Sequence, residues 1–519
     1  MDENLQDSFN RYSRIFWWLL AAVVALVFLL SLKRFFGRDE FEAIHTGWLI
    51  LAGQRVYTDF FQHHHPFFYY CLSGVIAIFG TSTTSVIASR MLSFVMFALI
   101  LLVTFRLCLR IYKDKRIALI SLLMLTTAQF FVDSAIEVRP DVPQTLFGLL
   151  AFLFIFTYFD KHKTIYLLLS SASLAISFLI LQKAVFAVFI MAILLIVGLY
   201  RKQLSVKDIL LYAAASVVIV APYYIYLAST GTLHAYFTFN WLLNMRFLYR
   251  FSAVDGFTLI LRTSVLLSVF YIAALAGFPK TPSRWRIEWI SLALMLSVFC
   301  VRAPFRQYFM LAMSLAAIVA ANAVFAIFSK NRRYLAVLLT VTVAASIAFA
   351  IRDTYAHMFV RILPVVIILA AIVSFAMYSN TSVRRKWLPA ILIVAIVIPS
   401  INLLSSLARS NGTQFAAVQY VLDVTEPDDS VYDGNASFNL FRKDIDFFLF
   451  STRMRTHWPG ALESYQKTIA DYPYDIYQLI DEHKPKVIWP YMIDNMFDSR
   501  IADNYTKSKT HDIFYIRND

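Results

Sequence analysis

Long apolar runs constrain this chain more than any other feature of its sequence. Most of them are roughly 17–25 residues long, the length of a helix that crosses a lipid bilayer. About 13 such spans are predicted, near 15–32, 86–109, 117–132, 142–159, 164–181, 184–200, 208–228, 258–278, 287–301, 305–328, 334–351, 358–377 and 387–407. The pattern predicts an all-α polytopic membrane protein.

The composition excludes most other classes of protein. Of the 519 residues, 59% are hydrophobic and 15% are charged, whereas soluble domains have about 45–50% apolar and about 25% charged residues. In a soluble protein the net charge of +14 would suggest nucleic acid. Here the basic residues lie in short loops between spans, so no nucleic-acid partner is expected. Three cysteines at unrelated spacings indicate neither a disulfide framework nor a zinc site.

The distribution of basic residues predicts how the chain is oriented. Lys and Arg are concentrated in alternate loops, which places those loops on the cytoplasmic side. Residues 1–14 are therefore predicted to be cytoplasmic, residues 15–409 to form the membrane domain, and residues 410–519 to lie outside, because the number of spans is odd. The first outer loop, 33–85, is long and includes a short apolar segment, 67–79, that reads as an interfacial helix.

Polarity returns in residues 410–519, which we expect to form a small α/β domain outside the membrane. Short strands are predicted at 431–432, 447–450 and 486–489, and helices at 464–470 and 474–482.

Ionisable residues at a membrane border are costly, so clusters of them are candidate functional residues. All the clusters described here fall on the predicted outer side. The first follows the first span at 37–42 and contains Asp39 and Glu40, a pair that could hold a general base or a metal, or be a solvated helix end. Further along the same loop, Asp59 precedes three histidines that end at His65, which could bind a metal or a phosphate.

The other clusters supply mostly positive charge. Lys183 lies between two apolar runs. Its side chain either extends towards the membrane surface or binds a phosphate. Two arginines and a tyrosine near position 305 could clamp an anion. The remaining candidates in these clusters are Glu137, Arg139, Asp141, Arg302, Arg306 and Tyr308.

The order of these motifs resembles the GT-C glycosyltransferases. Asp39-Glu40 follows the first span, a Gly-x-x-x-Tyr-x-Asp stretch ending at Asp59 leads into His65-Pro66, and Arg139-Pro140-Asp141, Lys183 and the Arg-Gln-Tyr-Phe segment at 306–309 come in turn. More narrowly, the chain is similar to bacterial relatives of the protein O-mannosyltransferases and of the lipid A aminoarabinose transferase, over roughly 15–330. That family often has Lys-Pro where this chain has His65-Pro66.

The resemblance implies an enzyme of the bacterial inner membrane that takes a sugar from a polyprenyl-phosphate donor. It implies that Asp39 is the general base and that transfer proceeds with inversion in one displacement; Asp59 is the rival base. An inverting displacement needs one carboxylate to accept a proton. The phosphate leaving group needs positive charge, which Lys183, Arg302 and Arg306 can supply. No cofactor is required for this chemistry, although the acidic and histidine clusters leave a divalent metal open.

Two other functions fit a lipid-linked sugar. A transporter or flippase should carry ionisable groups near mid-span and interrupted helices, whereas the acidic residues here gather at one face. A polysaccharide polymerase or ligase would differ mainly in using a lipid diphosphate. The acceptor is open between lipid A or its core, another envelope glycan and a protein hydroxyl, and membrane lipids surround the chain in each case.

Overall fold

The computed structural model describes residues 3–246, 265–277, 286–301, 304–329, 409–450, 476–490 and 503–518, with the single positions 393, 397, 403, 404 and 501. The predicted spans at 334–351 and 358–377, most of the span at 387–407, the predicted helix at 464–470 and the candidate Arg302 lie outside the described residues.

Helices dominate the described residues before position 330. In chain order they are α1 (Glu3–Lys33), α2 (Arg38–Leu51), α3 (Phe67–Phe79), α4 (Thr83–Tyr112), α5 (Lys115–Thr127), α6 (Gln129–Ala135), α7 (Asp141–Lys161), α8 (Thr164–Ile180), α9 (Val185–Tyr200), α10 (Val206–Ser229), α11 (Leu233–Phe237), α12 (Leu243–Arg246), α13 (Val265–Gly277), α14 (Ile287–Ser297) and α15 (Met310–Ser329). Short 3₁₀ turns at Gln182–Ala184 and Arg306–Phe309 precede α9 and α15.

Six helical segments in the described part of the chain are long and apolar enough to cross a membrane. They are α1, α4, α7, α10, and α9 and α15 with the turns before them. Helices α5 and α6 make a seventh if their pair, bent by 79°, is one broken span. The prediction of a mostly helical, multi-pass membrane protein is confirmed, while the total of about 13 spans stays a prediction.

The membrane helices share one buried apolar core, which positions the loops that carry the site. Leu107 of α4, Leu123 of α5, Ile155 of α7 and Ala317 of α15 are all fully buried in it. Helix α7 begins at Asp141, directly after Pro140. A carboxylate in the first turn of a helix is favoured by the helix dipole, so this start is stabilised by its own sequence.

Helix α2 lies against α3 within the first outer loop. The approach is close, because a Cβ atom added to Gly47 would stand 2.9 Å from the Cβ atom of Leu72. The segment predicted as an interfacial helix at 67–79 is a helix, α3.

The described C-terminal residues contain a five-stranded sheet and two helices, α16 (Gly412–Asp423) and α17 (Ile476–His483). The strands are β1 (Ser430–Tyr432), β2 (Lys443–Asp444), β3 (Val487–Ile488), β4 (Tyr505–Lys507) and β5 (Tyr515–Arg517). Their order is β2-β1-β3-β5-β4, with β1 parallel to β2 and β3, and β5 antiparallel to β3 and β4. That residues 410–519 form a separate domain stays a prediction.

The predicted strand at 447–450 is wrong, because these residues form turns. The Asp446 carboxylate accepts the N–H of Phe448 at 3.1 Å, which favours a turn at this point. A run of four apolar residues has no strand alternation, and here Phe448 and Leu449 are buried beside a turn instead.

The C-terminal segment is joined to the first outer loop by backbone and side-chain hydrogen bonds. The Gln414 amide accepts the N–H of Phe36 at 2.7 Å and donates to the Phe36 carbonyl at 2.9 Å. The N–H of Phe61 donates to the Phe447 carbonyl at 2.8 Å. These contacts place the segment after α16 beside the helix that carries Asp39.

Candidate active site

Two carboxylates project from the first turns of α2. Asp39 and Glu42 are three residues apart in this helix, so their side chains share one face. Both line a cavity of about 200 Å³, which we call the main cavity. Its other lining residues are His63, His64, Tyr69, Arg139, Pro140, Asn244, Val301, Phe305, Gln307, Tyr308 and Phe450. The main cavity therefore draws on the first loop, the start of α7, the turn before α15 and the C-terminal segment.

Arg139 supplies a fixed positive charge at the main cavity. Its guanidinium forms an ion pair with the Asp39 carboxylate, and its Nε lies 3.4 Å from Oδ2 of Asp141. Burial alone would lower the pKa of Arg139, but the charges of Asp39, Asp141 and Glu137 raise it well above the ordinary value. Arg139 therefore stays charged, and its two flanking carboxylates hold it in place.

Lys183 lies on the 3₁₀ turn before α9 and lines a second, smaller cavity of about 30 Å³ with Asp141 and Tyr308. Its Nζ atom stands 3.1 Å from the centre of the Tyr308 ring. This nitrogen is buried and has no hydrogen-bond partner among the described residues. Tyr308 lines both cavities, so the ammonium group is close to the main cavity.

Two neutral histidines form another part of the main cavity wall. The rings of His63 and His64 stand 3.9 Å apart between centres. Burial, and then the charge of Lys183, lowers the pKa of His63 to about 4. Burial also lowers the pKa of His64 well below its ordinary value. Nδ1 of His64 is buried without a hydrogen-bond partner in the described part of the chain.

His65 does not line the main cavity, although it was predicted as a site residue. Its Nδ1 lies 2.6 Å from the Phe178 carbonyl and its Nε2 lies 2.8 Å from the Tyr236 hydroxyl. Burial lowers the pKa of His65 to about 4. The side chain therefore acts as a neutral link from the first loop to α8 and α11.

Glu42 is the most unusual carboxyl group of the main cavity. Its Oε1 atom accepts hydrogen bonds from the Gln62 amide at 2.6 Å and from the Thr46 hydroxyl at 3.3 Å. The Oε1 atom of Gln62 accepts the backbone N–H groups of His63 and His64 at 2.8 and 3.2 Å. Burial raises the pKa of Glu42 to about 7, against the opposing effect of the Gln62 hydrogen bond.

Glu40, predicted with Asp39 as a catalytic pair, does not line the main cavity. Its carboxylate accepts bonds from Nε and Nη2 of Arg90 at 2.9 and 2.6 Å, from the Gly37 N–H at 2.8 Å and from the Val138 N–H at 3.1 Å. Glu40 and Arg90 are both fully buried. These contacts indicate that Glu40 joins α2 to α4 and to the loop before α7.

Glu137 and Arg306 lie at the edge of this buried network. Nη2 of Arg34 lies 3.3 Å from Oε1 of Glu137, and Nη2 of Arg306 lies 3.7 Å from the same oxygen. The Arg306 side chain is 46% exposed and stacks over Phe130 at 4.6 Å. Neither residue lines the main cavity, although Arg306 is next to Gln307, which does.

Asp59, the rival base, lies in an exposed turn. Its Oδ2 accepts the N–H of Arg55 at 2.8 Å, and its Oδ1 lies 3.4 Å from the Arg55 guanidinium. It does not line the main cavity. The structure brings together Asp39, Arg139, Asp141, Lys183 and Tyr308 from the predicted set.

Several lining residues were not in the set of site residues predicted from the sequence. Glu42 carries a readable signal, since its spacing of three from Asp39 puts both on one helical face. His63 and His64 belong to the histidine run predicted to bind a metal or a phosphate, and Gln307 lies in the Arg-Gln-Tyr-Phe segment at 306–309. Tyr69 and Phe450 carry no such signal, because distant segments bring them to the main cavity. Among the described residues no group of three His, Cys, Asp or Glu side chains is arranged to hold a metal ion.

The fold is that of the GT-C class of membrane glycosyltransferases. ArnT from Cupriavidus metallidurans bound to undecaprenyl phosphate superimposes with a TM-score of 0.61 at 13% identity, covering 96% of this chain and 97% of that one. The archaeal oligosaccharyltransferase AglB from Archaeoglobus fulgidus, in complex with an inhibitory peptide and a dolichol-phosphate, superimposes with a TM-score of 0.54 at 12% identity, covering 98% of this chain and 75% of that one.

A family model narrows this likeness. Residues 63–226 match the model of the dolichyl-phosphate-mannose-protein mannosyltransferases. The resemblance predicted from the motifs is therefore confirmed by a family model over part of the chain and by the fold over nearly all of it. No curated protein sequence matches the chain significantly.

Proposed function

We propose that this protein is a membrane glycosyltransferase that moves a sugar from a polyprenyl-phosphate donor to a hydroxyl group of an envelope acceptor, with inversion. One observation carries the proposal. Two carboxylates, Asp39 and Glu42, line the same cavity as the fixed guanidinium of Arg139, and a buried ammonium, Lys183, lies at its border. A proton acceptor and an anion site thus adjoin one another.

The Nζ group of Lys183, which has no hydrogen-bond partner within the described part of the chain, supports a phosphate at this place. A buried nitrogen without a hydrogen bond is costly, and an incoming phosphate oxygen would remove that cost and favour the charged form of Lys183. Charge that develops on the leaving phosphate is stabilised most strongly in a site from which water is excluded. Arg139, held by Asp39 and Asp141, would add a second cation without rearranging.

An apolar groove supports the polyprenyl part of the donor. It has a volume of about 500 Å³ and runs between α8, α9 and α10, with Phe178, Val188, Met191 and Val217 among its walls. Val185, also in the groove, is two residues after Lys183. A lipid chain in this groove would bring its phosphate towards the ammonium. Undecaprenyl phosphate in ArnT and dolichol-phosphate in AglB are lipids of the same chemistry.

The remaining parts of the proposal concern location and acceptor. The enzyme would lie in a bacterial inner membrane with a cytoplasmic N-terminus, and the main cavity would open on the outer face with the C-terminal segment. The acceptor would be lipid A or its core, another glycan or a protein hydroxyl. We propose that no cofactor takes part, because a monophosphate leaving group carries less charge than a diphosphate.

Transfer from radiolabelled polyprenyl-monophosphate sugars into envelope material tests the proposal, with the purified protein in proteoliposomes. We expect transfer by the wild type, with and without EDTA. We also expect the KM for the donor to rise at least about tenfold in Lys183→Met, because the variant loses one charge-assisted contact worth about 1.5–3 kcal/mol. Lys163→Met is the matched control, because Lys163 is exposed at the start of α8.

Three outcomes would contradict the proposal. Movement of labelled lipid across the membrane without sugar transfer would establish a transporter. Transfer from a polyprenyl-diphosphate donor alone would establish a polymerase or ligase. Equal effects of the two lysine variants would remove Lys183 from the donor site.

A further inference from the structure

The carboxylate predicted as the base is already bound to a cation. Asp39 pairs with the Arg139 guanidinium, and Arg139 also lies against Asp141. A carboxylate held by a permanent positive charge is a weaker proton acceptor than a free one. The Asp39 side chain is also 53% exposed, so it is not held in a buried position.

Glu42 differs from Asp39 in both respects while lining the same cavity. It is buried, and no salt bridge within the described part of the chain includes it. The hydrogen bonds that Glu42 makes with described residues, from Gln62 and Thr46, both end on Oε1. Its second oxygen, Oε2, is thus left for a group in the main cavity.

We propose that Glu42 is the catalytic residue that accepts the proton of the acceptor hydroxyl, and that Asp39 is a positioning residue that holds Arg139 against the donor phosphate. This inference rests on the proposed function. In the step, the acceptor oxygen bonds to the anomeric carbon of the sugar as the bond from that carbon to the phosphate oxygen breaks. The bonding electrons leave with the polyprenyl phosphate, and the hydroxyl proton passes to Oε2 of Glu42.

The surroundings of Glu42 suit this role. A general base works best when its pKa lies near the working pH, and burial raises the pKa of Glu42 to about 7. The ionisable groups that face it come from its own helix, from α3 and from the loops on either side: Asp39, Tyr69, Arg139, His63 and His64. Of these groups, Arg139 carries the positive charge that favours the ionised form of Glu42, but it is already paired with Asp39 and Asp141.

Gln62 couples Glu42 to the histidine wall. Its Nε2 donates to Glu42, and its Oε1 receives the N–H groups of His63 and His64. A single amide therefore sets both the rotamer of the base and the path of the loop opposite. The orientation of Oε2 is fixed before any substrate arrives.

The pH dependence of transfer distinguishes the two carboxylates. We expect kcat to rise with pH through about 7 in the wild type. In Glu42→Gln we expect kcat to fall about 10²–10⁴-fold, with the KM for the donor within about threefold and the rise with pH abolished. In Asp39→Asn we expect a higher KM for the donor and an unchanged rise with pH. Glu482→Gln, an exposed change in α17, is the matched control.

A second measurement uses a small carboxylate. The kcat of Glu42→Ala should rise at least about tenfold when formate is added, because formate can enter the space left by the side chain. Asp39→Ala should not respond to formate. Retention of kcat and its pH profile in Glu42→Gln, with loss of both in Asp39→Asn, would overturn the inference and leave the proposed function intact. Absence of transfer by the wild type from every donor would instead overturn the proposed function.

Discussion

Replacement of Arg90 by methionine should destabilise the protein by about 4–6 kcal/mol. Arg90 is fully buried and donates to both Glu40 oxygens, to the Arg34 carbonyl at 2.6 Å and to the Phe35 carbonyl at 3.2 Å. Breaking a buried ion pair from one side costs about 3–5 kcal/mol, because the other charge stays buried. Two carbonyls left without donors add about 1 kcal/mol or more between them.

The assay is equilibrium unfolding in mixed detergent micelles, followed by tryptophan fluorescence. Arg106→Met is the matched control, because Arg106 lies on the same helix, α4, but is exposed. It should change the free energy of unfolding by no more than about 0.5 kcal/mol. The double variant Arg90→Met with Glu40→Gln should be more stable than Arg90→Met alone by at least about 1 kcal/mol, since the stranded charge is gone.

Two results would refute this reasoning. Arg90→Met within about 1 kcal/mol of the wild type would show that the buried pair contributes little. A double variant no more stable than Arg90→Met would show that the loss comes from stacking of the guanidinium over Phe36 and not from the charge left on Glu40.

Two further predictions concern the carboxyl groups of the first loop. Glu42→Gln should become more stable relative to the wild type as pH rises from about 4.5 to 7, by up to about 3 kcal/mol. The folded pKa of Glu42 is raised to about 7, so the wild type loses stability across that window and the glutamine variant does not; equal pH profiles of unfolding would contradict this. Asp59→Asn should retain transfer activity within about twofold, because its turn faces solvent; a fall of a hundredfold in kcat would return Asp59 to the site.

The position of the site could be predicted from the sequence because three of its charged residues directly follow or precede an apolar run. Asp39 comes just after α1, Arg139 just before α7 and Lys183 just before α9. Helices that cross one bilayer bring such ends to a common level. Which cluster members face one another could not be predicted in this way.

Glu40 was predicted as a site residue, but Glu42 lines the main cavity instead, and helix geometry explains the difference. Adjacent carboxylates look like a pair in a sequence, but successive residues of a helix point about 100° apart. Glu40 therefore points towards Arg90. Glu42 is three residues after Asp39 and lies on the same face of α2. The sequence pattern of residues 38–51 predicts a helix too weakly to decide whether Glu40 or Glu42 shares a face with Asp39. Phe450 lines the main cavity from a turn, and the apolar composition of residues 447–450 does not predict that turn.

Because Phe450 forms part of the wall of the main cavity, that wall is complete only after the C-terminal segment has been made. The ribosome delivers α2 early, whereas the residues that clamp Phe36 and close the wall, Gln414 and Phe450, emerge only after the membrane helices have been made. A chain cut short by a premature stop codon can insert its first helices and still lacks one side of the site.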